Sequence, residues 1–189
     1  MIIFGLQKFA EVMDWHLSAD GFTVHREFMP KDFGKPVTAF EDLKPTELVI
    51  AIGPGKVNEH RERIYYEAIQ RGHTLNTWVH KEAIIDGGFG THCIIFERNN
   101  LQPFTEIGDN VVLWSGNHVG HHSRIGSHSF ITSHCVISGE VTIGERCFLG
   151  VNCTIANGIR IGKGCVVAAG AVVTADMQDG QVSGRDGLS

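Results

Sequence analysis

From Phe89 to Val173 every sixth residue is apolar, fifteen positions in succession without an exception. The column runs Phe89, Ile95, Leu101, Ile107, Leu113, Val119, Ile125 and Ile131, then Ile137, Ile143, Leu149, Ile155, Ile161, Val167 and Val173. A helix spaces its apolar face by three and four, and a half-buried strand alternates every second residue, so neither sustains a period of six. A hexapeptide repeat winds a parallel β-helix, a prism in which each repeat supplies one short strand and one corner. A three-sided prism closes after three hexads, so residues three hexads apart lie one above the other.

Ahead of the repeats the pattern is different. Ile2-Ile3-Phe4-Gly5 is a short apolar strand running into a glycine, and Phe9, Val12, Met13, His16 and Leu17 follow at helical spacing. A second strand is predicted at Phe22-Thr23-Val24, and Leu48 to Ile52 is a continuous apolar run ending at Gly53, as buried parallel strands read. Asn58 to Arg71 predicts a helix stopped by Gly72, and Leu75 to Val79 a closing strand. Alternating strands and helices make a small parallel α/β unit, which binds ligands beyond the carboxyl ends of its strands, where Gly5 and Gly53 fall. Only Gly5 of a G-x-G-x-x-G pattern is present, which argues against NAD. Pro30 to Pro45 reads as a loop. The chain therefore divides into an α/β unit (1–82), a prism (83–177) and a polar, glycine-rich tail (178–189) expected to be loose.

Composition narrows the function. The 189 residues are 42% hydrophobic and 20% charged, the balance of a folded core rather than a disordered chain. A net charge of −5 argues against a nucleic-acid partner. No apolar run reaches the ~18 residues of a membrane span. Lys8, Glu11 and Asp14 interrupt the first apolar stretch, so it does not read as a signal peptide and a cytoplasmic protein is expected. Cys93, Cys135, Cys147, Cys153 and Cys165 all occupy the fifth hexad position, beside Thr105, Ser123, Ser129 and Ala171. They read as compact fillers of the prism rather than a metal or redox set.

The same register sorts the histidines. His122, His128 and His134 share the fourth position at successive corners and point three ways, so they form no cluster within one chain. His128 and His134 read as solvated corners. His121 sits at the third position, outward, and its neighbour one coil on is Gly139. A glycine there leaves space and an approachable N–H beside an imidazole, the base and oxyanion donor that acyl transfer requires. Histidine suits the base because its ordinary pKa lies near neutrality. Trp114 to Ser123 is also the least repetitive part of the prism.

The α/β unit, the Ala51-Ile52-Gly53 strand end, the block Trp114 to Ser123 and the run Phe148-Leu149-Gly150-Val151-Asn152 together resemble one branch of the hexapeptide acyltransferases. It is the sialic-acid O-acetyltransferase-like branch, which includes the nucleotide-amino-sugar N-acetyltransferases. The resemblance implies a left-handed parallel β-helix, although the usual crossover rule would give the opposite hand. It also implies a homotrimer, with acetyl-CoA as co-substrate in the groove between adjacent prisms, and no metal. It carries the catalytic base onto His121, with His122 standing where an acidic neighbour is usual, and Glu140 as a possible substitute for that acid. Contacts to acetyl-CoA fall on Phe130, Gly139, Val151 and Ala169. Contacts to the sugar substrate fall on Leu6, Gln7, Lys8, Phe9 and Gly53, with Asn117 and His118 beside the base. His25 stands where an acid is expected after the second strand, and the tail Val182-Ser183-Gly184-Arg185 lacks the family's Pro-Ala.

The expectation is an acetyl-CoA-dependent acetyltransferase acting on a sugar amine or hydroxyl in surface-polysaccharide biosynthesis. Two other classes fit the scaffold. One is a carbonic-anhydrase-like prism with zinc on His118, His121 and His122; the other is a non-catalytic sugar-binding or assembly protein.

Overall fold

The computed structural model describes residues 1–30, 34–184 and, as backbone, 187–188; Arg185 of the tail lies outside the described residues. The chain forms two compact units, one of 1–53 and 63–76, the other of 54–62 and 77–189.

The first unit is a parallel sheet built from β1 (Ile2–Phe4), β2 (Gly21–Val24), β3 (Val37–Ala39), β4 (Glu47–Ile50) and β5 (Thr74–Leu75) in the order 3-2-1-4-5. α1 (Lys8–Leu17) follows β1 and buries Phe9, Ala10 and Met13. α2 (Glu59–Gln70) runs through the boundary between the units and ends before Gly72, at φ +79. Phe4, Phe40, Leu48, Ile50, Ile64, Tyr65 and Ala68 make the core. β3 and a 3-10 turn at Phe40–Asp42 fall where the sequence predicts only a loop. β3 is short and only partly buried, so its apolar signal is weak.

The predicted strand Leu75 to Val79 divides in two. Thr74–Leu75 pairs with β4, whereas Trp78–Val79 pairs in parallel with Ile94–Ile95 and is already the first strand of the prism. Residues 54–62 also group with the prism, so the boundary is not a single cut at residue 82.

The second unit is a left-handed parallel β-helix of three sheets, with pairings such as Asn100↔His118, Val112↔Phe130 and Arg124↔Thr142. Each pairing joins residues one coil apart, as the register requires. The hexad column fills the interior with the five free cysteines and Val111, Val141 and Ala171. Phe89 is the exception at 40% exposed, because its strand is the edge of its sheet. Every fourth-position residue from His92 to Gly170 has positive φ. That left-handed conformation turns the corner, and Gly, Asn and His tolerate it better than bulky or β-branched residues do.

Among the described residues of the tail, two short segments pair as strands. Val182–Gly184 pairs in parallel with Val166–Val167, and Gly187–Leu188 pairs with it antiparallel.

Candidate active site

The prism places His121 in the turn after His118–Val119, exposed, with its backbone N–H donating to Gln102 Oε1 at 3.0 Å. The coil stacks Gly139 beside it. A Cβ on Gly139 would lie 2.8 Å from His121 Cε1, 2.9 Å from Nε2 and 3.1 Å from Asn157 Oδ1. The imidazole therefore leans against the bare Cα of Gly139, and the expected open space is occupied by the ring itself. Gly139 is buried under these side chains, and its carbonyl accepts from Gly158 N–H at 3.0 Å.

What orients His121 is its neighbour. The two Nδ1 atoms of His121 and His122 lie 3.1 Å apart, with the rings edge-on. One nitrogen must carry the proton and the other accept it. With His121 donating from Nδ1, its Nε2 is left an acceptor beside Gly139 and Asn157, the tautomer a general base needs. His122 is fixed in turn by its corner φ of +58 and by Phe104, whose ring centroid lies 4.7 Å away. Glu140, the possible substitute for the missing acid, makes no side-chain hydrogen bond to either histidine; only its backbone N–H bonds His121 O, at 2.9 Å.

The structure brings His121, His122 and Gly139 together, and adds Asn157 and Gln102, which the sequence reading passed over. Asn157 is one coil beyond Gly139, so the register alone could have found it. Asn117 does not open onto this site. It is 1% exposed, its Nδ2 donates to Trp114 O within its own coil and its Oδ1 accepts from Cys135 N–H one coil on. His118 lies half-buried on its strand between Asn100 and Val136. Phe130 is 4% exposed and stacks toward Phe148, whereas Val151 is 44% exposed with Ala169 one coil beyond.

His128 corrects the expectation of a solvated corner. It is 2% exposed, its Nδ1 lies 2.9 Å from Asn110 Nδ2, and burial holds its pKa below the ordinary value. Asn110 Oδ1 receives Arg61 Nη2 at 2.6 Å and lies 2.9 Å from His92 Nδ1, so residues 58–62 cover this face with a buried polar ladder. Asn58 Nδ2 donates to Cys147 O at 3.0 Å, and Glu62 pairs with Arg146 at 3.3 Å. His134 is exposed, as expected, and lies over Gly116.

In the α/β unit the order 3-2-1-4-5 puts the switch point between β1 and β4, the crevice in which such sheets bind ligands. Gly5 and Gly53 follow those two strands. Gly5 has φ +129 and its Cβ would lie 2.6 Å from Ala51 O, while nothing stands within 4 Å of a Cβ on Gly53. Leu6 is half-buried, Gln7 caps α1 with its side chain unengaged, Lys8 pairs with Glu11 at 2.8 Å, and Phe9 turns into the core. A carboxylate from further along the chain stands beside His25. Glu41 Oε1 lies 2.9 Å from His25 Nδ1 and Oε2 accepts from Arg26 N–H at 3.0 Å. The hydrogen bond from His25 leads the causes that hold the Glu41 carboxyl down at about 2. His25 Nε2 faces Glu67 at 3.5 Å, an ion-pair distance rather than a formed hydrogen bond.

No three His, Cys, Asp or Glu side chains among the described residues gather as a metal site. Among the described residues no helix is long and apolar enough to cross a membrane.

Residues 104–139 match the bacterial transferase hexapeptide (six repeats), and residues 140–175 match the hexapeptide repeat of succinyl-transferase. Among solved structures it is similar to PerB from Caulobacter crescentus in complex with CoA and GDP-perosamine. That match has 25% identity and a TM-score of 0.82, over 96% of this chain and 92% of the other. The acetyltransferase domain of PglB from Neisseria gonorrhoeae FA1090, in complex with acetyl coenzyme A, matches at 20% identity and a TM-score of 0.85, over 100% of this chain and 97% of that one. WeeI from Acinetobacter baumannii AYE matches at 20% identity and a TM-score of 0.72, over 96% and 94%. No curated protein matches the chain in sequence.

Proposed function

We propose that this protein is an acetyl-CoA-dependent acetyltransferase whose acceptor is a nucleotide-linked amino sugar, with His121 as the general base. The observation that carries the proposal is the imidazole of His121 laid with its Cε1–Nε2 edge against Gly139 and its Nδ1 held by His122. The likeness to PerB, bound to CoA and GDP-perosamine, and to PglB, bound to acetyl coenzyme A, supports the same chemistry. Perosamine N-acetyltransferase has also been solved with one histidine replaced by asparagine or alanine.

In this reading the acceptor nitrogen attacks the thioester carbonyl carbon, and a C–N bond forms. His121 Nε2 takes a proton from that nitrogen, and the Gly139 N–H faces the oxyanion. The C–S bond then breaks and the imidazolium returns the proton to the departing CoA thiolate. His122 keeps His121 in the required tautomer, though a neutral partner stabilises the imidazolium less than a carboxylate would. Phe130, Val151 and Ala169 would line the pantetheine path. Leu6 to Phe9 and Gly53 would hold the nucleotide sugar at the switch point, with Glu41 in the place of the missing acid. The working protein would be a homotrimer with acetyl-CoA between adjacent prisms, acting in the cytoplasm in surface-polysaccharide biosynthesis.

The test is release of CoA thiol from acetyl-CoA with GDP-perosamine and with UDP- and dTDP-linked amino sugars as acceptors. At least one acceptor should drive release, and His121→Ala should lower kcat by about 10²–10⁴-fold at unchanged secondary structure. Saturable sugar binding without thiol release would instead mark a non-catalytic binding protein.

A further inference from the structure

We infer that Asn157 is the second polar arm of the transfer centre and selects an amine over a hydroxyl as the nucleophile. This rests on the proposed acyl-transfer reading and deepens it at the same site. Asn157 Oδ1 and His121 Nε2 approach Gly139 from the coils on either side, at 3.1 and 2.9 Å from where its Cβ would stand. The two atoms therefore cannot be further apart than the sum of those distances. A hydrogen-bonded atom held by both fits such a span. The Asn157 side chain is exposed and makes no hydrogen bond among the described residues, so the coil does not use it. Asn99 and Asn117 contrast with it, because both spend their amides on backbone carbonyls of the prism. Gly139 is what permits the arrangement, since any side chain there would stand between the two arms.

The chemistry of the pair is specific. With Nδ1 of His121 protonated, Nε2 is an acceptor, and Oδ1 of Asn157 is an acceptor as well. Two acceptors meeting one nucleophile need two protons on it. A neutral primary amine has them: one N–H bonds Asn157 Oδ1, the other is taken by His121 Nε2, and the lone pair remains for the thioester carbon. A hydroxyl has one proton and leaves one acceptor unmatched. The step balances as before, with the amide C–N bond formed, the C–S bond broken and the proton passed through His121 to the CoA sulfur.

The experiment compares the parent, Asn157→Ala, Asn157→Asp and His121→Ala, with acetyl-CoA and either GDP-perosamine or its counterpart bearing a hydroxyl for the amine. Asn157→Ala should lower kcat/KM for the amine by about 10–100-fold, the worth of one hydrogen bond in a transfer centre, with the acetyl-CoA KM unchanged. The preference for the amine over the hydroxyl counterpart should narrow by at least that factor. Asn157→Asp keeps the acceptor oxygen but favours the unreactive ammonium, so it should retain activity at high pH and move the acid limb of the profile upward. A purely structural role would not move that limb. Asn157→Ala at parental turnover beside an inactive His121→Ala overturns the assignment of Asn157 alone. So does an Asn157→Asp profile that superposes on the parent's. Full activity in His121→Ala, or a parent that is silent on every amine, overturns the acyl-transfer reading beneath it.

Discussion

At position 139 the absence of one carbon decides how the site is built. A methyl group there would stand 2.8 Å from His121 Cε1, and the nearest atoms are side-chain atoms that can swing away. Gly139→Ala is therefore expected to fold, with a stability change within about 1 kcal/mol, yet to lose roughly 10²-fold in kcat because the imidazole is displaced. Thermal melting and turnover measured on the same preparation check both halves. The pairing of His121 with Gly139 was legible because the hexad register fixes which residues stack. The mutual hold of His121 and His122 was not, since a register places Cα atoms and says nothing of which ring nitrogens meet. His128 was misread for a related reason: it occupies a corner, and corners are solvated unless another segment covers them. Asn58 and Arg61, distant in sequence, are buried there, with the partly exposed Glu62–Arg146 pair beside them.

Among the elements, this ladder carries a pH dependence. Burial first, and then the charge of Arg61, holds the His92 pKa down to about 3, from an ordinary 6.5. The unfolded chain takes up a proton there below the ordinary value, while the folded chain does not until the lower one. The stability contributed by neutral His92 is thus complete above pH 6.5 and is lost as pH falls toward 3. The expected slope is about 1.4 kcal/mol per pH unit. Unfolding free energies from urea titrations should fall by about that amount per unit as pH drops below 6.5, and His92→Gln should flatten the dependence. The strands of the prism were readable from period alone, because one buried residue per hexad leaves no second solution. β3 and the split at residues 74–79 were not. Leu75 to Val79, apolar at both ends around Asn76 and Thr77, has the same appearance whether one sheet or two receive it.

For the molecule as a whole, the fold class followed from the repeat, while its left hand came from likeness to known proteins rather than from spacing. Spacing also cannot say how many chains assemble. If the proposed trimer is the working form, light scattering should give about three times the chain's 20.7 kDa. A monomer would leave the groove between prisms without its second wall, and the proposed acetyl-CoA site with it.

A column of parallel coils has no intrinsic reason to stop, since its last rung offers the same unpaired amides and carbonyls as every rung before it. Here the final addition, Gly187–Leu188, runs against the direction of all the others in its sheet. A reversed rung presents the wrong hydrogen-bond pattern to an incoming parallel strand, which discourages end-to-end growth of one molecule onto the next. On this one of the three faces, the direction of the strand changes where the pairing of the described residues stops.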